Sequence, residues 1–234
     1  MKSELAQQEI RRVGFLVSGN GGTLRFIHRV SHCLKLPFVI TTVLADRTCG
    51  ALEYARAVGL PHQLLDYTRK DVSALQQALQ EASPDVIITN IHKIIDEETL
   101  RLLPGRFINL HYSLLPAFKG LIGMQTIVKA RELNVTVVGA TCHEVDEQVD
   151  NGRCLAQFAT SVDWSHDTLP EVYELVFRGA CLVLLQGLLQ HQQITVEHKQ
   201  GVLSLMDRQS IFAPSVSFPV EALDEAFWQR LKKE

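Results

Sequence analysis

The chain has 234 residues, 46% hydrophobic and 21% charged, with 14 glycines and 8 prolines, which excludes disorder, collagen and coiled coil and suffices for one large α/β domain or two small ones. Its net charge of −3, with no long run of one sign, excludes a general grip on a nucleic-acid backbone. The longest late apolar stretch, residues 180–185, falls far short of the ~18 residues that a membrane span needs.

The opening MKSELAQQEIRR is polar throughout, so residues 1–12 read as a leader with no signal-peptide core. Residues 13–17 (VGFLV) form a continuous apolar run, 18–23 (SGNGGT) a glycine turn, and 24–36 (LRFIHRVSHCLKL) a helical pattern, together a strand, turn and helix. The alternation repeats: strand at 38–45, helix at 51–58, short strand at 63–65, helix at 73–82, strand at 85–91. Val- and Ile-rich strands separated by helices imply parallel strands joined by right-handed crossovers. Residues 107–110 are a further short strand, 117–123 a loop, and helical spacing then resumes to Glu132. Residues 135–142 and 155–161 read as antiparallel neighbours flanking a polar loop at 144–152. A long helix over 169–190 carries Pro170 in its first turn, where a missing N–H costs nothing. Beyond residue 200 the pattern loosens, and a helix over 222–232 closes the chain. The expected fold class is α/β, a Rossmann-like, doubly wound, mostly parallel sheet. It is read as one domain over 13–199, with a C-terminal extension, 200–234, packed on it.

Open α/β sheets bind ligands at the carboxyl ends of their strands, where this chain places its unusual polar residues. Gly19, Asn20, Gly21, Gly22 and Thr23 follow the first strand, where glycines let the backbone approach an anion and the helix start supplies N–H groups. The alternative is a tight turn that needs positive φ. The loop is not a phosphate-binding GKS/T loop, and Leu24 stands where the dinucleotide fingerprint has its last glycine. Asn109 and His111, two apart at a strand end, point to one face while Ile108 and Leu110 point to the other. An amide and an imidazole aimed together are the parts of an oxyanion site. Asp150, in the polar loop 39 residues after His111, would raise the imidazole pKa and relay protons if brought against it; taken alone, Asp-Asn-Gly is a turn.

His28, His32 and Cys33 share a helix but lack the glutamate and second cluster of a zinc site, so no metal is expected. Cys142 and His143, adjacent in a strand, point to opposite faces and do not make a nucleophilic pair. The five cysteines, with no CxxC pair, read as reduced packing residues of a cytoplasmic protein.

FINLHYSLLPAFKG followed by GATCHEVDEQVDNGRCLAQ resembles the core of the folate-dependent formyltransferases, of the glycinamide ribonucleotide formyltransferase and formyltetrahydrofolate deformylase kind, over roughly residues 13–188. The resemblance implies a catalytic set of Asn109, His111 and Asp150, and an acceptor phosphate held by the SGNG loop. It also implies a folate pocket formed by Ile91, His92, Lys93, Ile94 and Ile95 and bordered by Val145 and Val149. The donor would be 10-formyltetrahydrofolate and the partner a small-molecule amine, best phosphoribosylglycinamide, with no nucleic acid or membrane and with a homodimer allowed. Protonated His111 and Asn109 would donate to the tetrahedral oxyanion while Asp150 holds His111 charged and takes the amine's proton through a water.

Departures concern the acceptor. Tyr112 replaces the family's proline, Gly22-Thr23 its Ser-Asn, Asp150-Asn151-Gly152-Arg153 its D-G-G-P, and Phe177 or Arg178 falls where a glutamate meets the acceptor. Another amine, such as an amino sugar or hydroxylated amino acid, is therefore the nearest alternative. Next comes hydrolysis of the formyl folate, which the absence of the deformylase's N-terminal regulatory domain disfavours. A nucleotide-binding scaffold is the non-enzyme alternative.

Overall fold

The computed structural model describes residues 9–67, 71–195 and 199–233, so most of the expected leader lies outside the described residues. The described residues form two compact units, those up to residue 91 with those from 219 onward, and those within 92–218.

In the first unit β1 (Arg11–Val17), β2 (Phe38–Ala45), β3 (His62–Leu64) and β4 (Val86–Asn90) lie in the order β3-β2-β1-β4, all parallel. They alternate with α1 (Gly22–Cys33), α2 (Gly50–Ala57) and α3 (Ser73–Ala82), the strand-helix alternation with parallel pairing that the sequence predicts. Val13, Phe15, Leu16 and Ile87, Ile88 are fully buried, as strands covered on both faces require. Helix α1 stops earlier than its periodicity suggests, because Lys35 turns left-handed at φ 53°. It buries Leu24, Phe26, Ile27 and Val30, which fall at helical spacing. The last helix, α7 (Glu225–Lys233), completes this unit: Trp228 stacks on Phe26 at 5.7 Å between ring centroids.

The second unit holds α4 (Glu97–Leu102), β5 (Phe107–His111), α5 (Gln125–Glu132), β6 (Val137–Glu144), β7 (Cys154–Ser161), α6 (Leu169–His191), β8 (Gln200–Leu205) and β9 (Arg208–Val216). Its strands run β5-β6-β7-β9-β8, and the β5–β6, β6–β7, β7–β9 and β9–β8 pairings are antiparallel. Parallel pairing thus belongs to the first unit, and the antiparallel ladder expected for two strands extends across five. The hairpin of β8 and β9 occupies the stretch whose pattern loosens. Its turn is Met206-Asp207, both at positive φ (49° and 63°), rather than the Asn-Gly or Asp-Gly that would flag it in sequence. Helix α4 is likewise absent from the periodicity; Asp96 caps it, accepting from Thr99 N at 2.8 Å.

Helix α6 is long and apolar enough to cross a membrane, yet 83% of its apolar window is buried inside the fold, so it is a core helix. Thr168 and Glu171 close a capping box and Pro170 sits in the first turn. Fully burying each of its leucines and valines contributes about 1.5–3 kcal/mol. Close approach to the sheet depends on two glycines: a Cβ at Gly179 would lie 2.3 Å from the Phe158 ring, and one at Gly187 2.4 Å from Cys142 Sγ. Gly179→Ala is therefore expected to cost about 1–3 kcal/mol by overpacking. The melting temperature should fall by roughly 2–10 °C, and an unchanged value would show that α6 shifts freely.

Candidate active site

Strand β5 ends in Phe107-Ile108-Asn109-Leu110-His111. Ile108 and Leu110 are buried in the core, while Asn109 and His111 face the other way, opposite His143 and Thr141 of β6 in the antiparallel register. Four polar side chains therefore share one sheet face. Thr141 anchors the loop that follows β5: its hydroxyl donates to Ser113 O at 2.7 Å and accepts from Leu115 N at 3.1 Å.

Asp150 reaches this face on the β6–β7 loop. Glu144 N donates to Arg153 O at 2.9 Å at the base of the loop, and Arg153 also grips the Glu144 carboxylate. Only glycine fits at 152, because a Cβ there would lie 1.8 Å from Glu144 O. Asp150 itself takes a left-handed backbone, φ 53°, so the Asp-Asn-Gly turn aims its side chain inward.

The Asp150 carboxylate meets three groups. Oδ2 lies 3.3 Å from His111 Nδ1 and accepts from Gly120 N at 2.8 Å, and Oδ1 lies 3.7 Å from His143 Nε2. Beside it, Lys119 Nζ donates to Asn151 Oδ1 at 2.9 Å. The other ring nitrogen of His111, Nε2, is 3.1 Å from Phe118 O, so both nitrogens of a 5% exposed ring face acceptors.

Burial works against the Asp150 carboxylate, but nearby His143, the Gly120 N–H and His111 together outweigh it and hold its pKa below the usual aspartate value. For His111 the balance is reversed. Burial pushes its pKa below 6.5, against the opposing effects of Asp150 and the Phe118 carbonyl, and His143 adds to the lowering. Asp150 does raise the His111 pKa, as expected, but desolvation of a nearly inaccessible ring exceeds the attraction of one partly solvated carboxylate, so the net shift is downward and works against the expected charged ring.

Both shifts destabilise the fold on acidification. A histidine with a depressed native pKa is protonated more readily when unfolded, so stability falls as pH drops below 6.5. A depressed aspartate adds a loss that begins near its unfolded value of 3.8 and continues as pH falls through the native pKa. His111→Gln is expected to remove the part of the decline in melting temperature that starts near pH 6.5 and to leave the more acidic part; an identical pH profile would reassign the first part.

The glycine loop belongs to the first unit. Gly21 requires its glycine on two counts, a φ of 79° and an Ala51 Cα that would lie only 2.7 Å from a Cβ, so the tight-turn reading accounts for that residue. At Gly19 a Cβ would meet nothing within 4 Å, which leaves its backbone open to approach. No side chain caps α1 and no acidic residue occupies its first turn. Asn20 is exposed, Gly22 opens α1, and buried Thr23 accepts from Asn90 Nδ2. Ser18 Oγ donates to the buried Asp46 carboxylate at 2.7 Å.

Residues 91–95 form an irregular segment after β4. Ile95 is buried and Ile94 is 50% exposed, as is Val149 on the β6–β7 loop; Val145 N donates to Phe107 O at 2.9 Å. Ile91 and Lys93 are partly exposed and His92 is exposed.

Elsewhere, His28 Nδ1 bonds the Tyr54 hydroxyl at 2.7 Å and Cys33 Sγ contacts Ala222 O at 3.7 Å. Among the described residues no group of three or more His, Cys, Asp or Glu side chains is placed to hold a metal. The five cysteines are free thiols. Arg178, 8% exposed, donates from Nε to Glu174 Oε1 one turn earlier at 2.6 Å.

His143 is the site residue that sequence reasoning missed. It makes no pair with Cys142, its neighbour in sequence, since Cys142 faces α6 at Gly187. The usable signal was its pairing opposite Asn109, which only the register reveals.

Three comparisons bear on this site. Residues 11–183 match the profile of the family described as formyl transferase. The chain is 32% identical over 176 residues to the chloroplastic phosphoribosylglycinamide formyltransferase of Arabidopsis thaliana, covering 71% of this chain and 60% of that protein. It is 31% identical over 188 residues to phosphoribosylglycinamide formyltransferase of Mycobacterium tuberculosis, covering 77% and 86%. The chain thus spans about 60% of the length of the plant relative. Among solved structures, glycinamide ribonucleotide transformylase 1 from Symbiobacterium toebii superposes with a TM-score of 0.73 at 26% identity, covering 88% of this chain and 95% of that one.

Proposed function

Because the chain belongs to the formyl transferase family, we propose that it transfers a formyl group from 10-formyltetrahydrofolate to an amine, that of phosphoribosylglycinamide in the first instance. The observation that carries this reading is the contact of His111 Nδ1 with Asp150 Oδ2 at 3.3 Å, which joins residues 39 positions apart on a sheet face shared with Asn109.

In this reading the acceptor nitrogen attacks the formyl carbon, the carbonyl π electrons move to oxygen, and a tetrahedral oxyanion forms. Asn109 and His111 donate to that oxygen. His111 donates through Nε2, which in the unliganded protein points to Phe118 O, while Nδ1 stays against Asp150, an arrangement that has both ring nitrogens protonated as the oxyanion develops. The amine's proton passes through a water to Asp150, which is ionised at neutral pH because its pKa is low. Collapse then expels the folate nitrogen, which takes a proton back. The acceptor's phosphate sits on the loop at 18–23, whose open Gly19 and uncapped α1 start suit an anion. The exposed faces of Ile94 and Val149 suit the flat rings of the folate.

A second reading, formyl transfer to a different amine, draws on Arg178. The position that a glutamate would need to meet the acceptor falls at Phe177 or Arg178, and the latter is a buried guanidinium already bound to Glu174. Folate-product absorbance, followed with phosphoribosylglycinamide, with other amines and with none, separates the cases. Turnover with the first supports the proposal and turnover only with another amine the second reading. Turnover with no amine means hydrolysis, and no turnover at all overturns formyl transfer.

A further inference from the structure

Building on the formyl-transfer reading, we propose that His143 is a positioning residue for Asp150, holding the carboxylate at Oδ1 as His111 holds it at Oδ2, so that the proton acceptor stays ionised and aimed.

The ring is buried, its side chain 3% exposed. Its Nδ1 lies 2.7 Å from Glu144 O, and since a carbonyl only accepts, Nδ1 carries the hydrogen. Nε2 is buried without a hydrogen-bond partner and faces Asp150 Oδ1 at 3.7 Å. In a neutral ring it would turn a lone pair toward a carboxylate, an unfavourable arrangement. A proton on Nε2 converts the contact into a charge-assisted hydrogen bond once the gap closes to about 2.8 Å. The ring cannot easily turn away, because the β5–β6 register places it opposite Asn109 and the Glu144 carbonyl pins its other nitrogen. A histidine serving only to fill the core would have no reason to leave its one remaining polar atom unsatisfied and aimed at the carboxylate.

Other charged and titratable groups surround the pair without replacing this contact. His111 comes from β5 and Cys154 from the register position opposite His143 on β7. Glu144 is neutralised by Arg153 and felt by His191 of α6, Lys119 is bound to Asn151, and Asp146 and Glu147 lie on the exposed side of the loop.

The test is a carbon-detected NMR titration of the Asp150 carboxyl in the unliganded full chain, compared among wild type, His143→Leu and His143→Gln. Loss of the contact in the leucine variant should raise the Asp150 midpoint by about one pH unit. Glutamine, which keeps a donor but no charge, should give a smaller rise. A core-filling role would leave the midpoint where it is, and an unmoved midpoint in either folded variant overturns the proposal. The glutamine variant keeps the test available if the leucine variant does not fold. In turnover, kcat should fall roughly tenfold or more in His143→Leu and be partly restored in His143→Gln, with KM for the folate donor little changed. Because the titration needs no substrate, a wild-type protein that fails to turn over formyl folate would sink the functional reading while leaving the test of His143 intact.

Discussion

Asp150→Asn is expected to lower turnover by about 10²- to 10⁴-fold while leaving folate-analogue affinity nearly unchanged. The amide is close to isosteric and its oxygen can still accept from Gly120 N, so the β6–β7 loop should keep its course. What disappears is a group able to take the amine's proton through a water, together with the charge opposite the His111 Nδ1. Steady-state kcat with the preferred amine, alongside fluorescence titration of a folate analogue, measures both halves. Near-wild-type turnover would remove Asp150 from the reaction, and equal losses in turnover and affinity would assign it to loop architecture instead.

Asn109→Ala should cost about 10²- to 10³-fold in kcat, or roughly 3–4 kcal/mol, the range for deleting one oxyanion donor from a shielded site. Asn109 sits between buried Ile108 and Leu110 on a strand whose pairing with β6 does not depend on its side chain, so truncation should leave β5 in place. Asn109→Asp provides the complementary measurement. It preserves size but presents an acceptor where the developing negative charge needs a donor, and it should be at least as damaging as alanine. Activity in Asn109→Asp above that of Asn109→Ala would mean that the residue acts through packing and not by donating to the oxyanion.

The two residues differ in how far they could be read before the fold was known. Asn109 and His111 share a face because side chains alternate along a strand, a property of covalent geometry that holds wherever the strand lies. Asp150 is legible in the sequence as a carboxylate that could serve His111, but only the resemblance of its surrounding segment to a known family implies that the two meet, since a carboxylate in an Asp-Asn-Gly loop has no intrinsic direction. His143 was invisible because its relevance depends on lying opposite Asn109 in a ladder, and register is set by tertiary packing. The sign of the His111 pKa shift was misjudged for a related reason: the nearby carboxylate could be anticipated, but the depth of burial could not.

Local chemistry in the chain was enough to specify the strand-turn-helix opening, the capped and proline-started α6, and the β6–β7 hairpin, because periodicity and caps act within a few residues. Short or weakly marked elements escaped it, namely α4 with its single turn and a half and the β8–β9 hairpin closed by Met206-Asp207. Assembly of the three-dimensional fold decided which side chains meet at Asp150, which protonation state burial favours at His111, and why Gly152 must be glycine. Each of these depends on distances that are fixed only once the strands pair and the β6–β7 loop folds back on them, and on the water excluded when they pack.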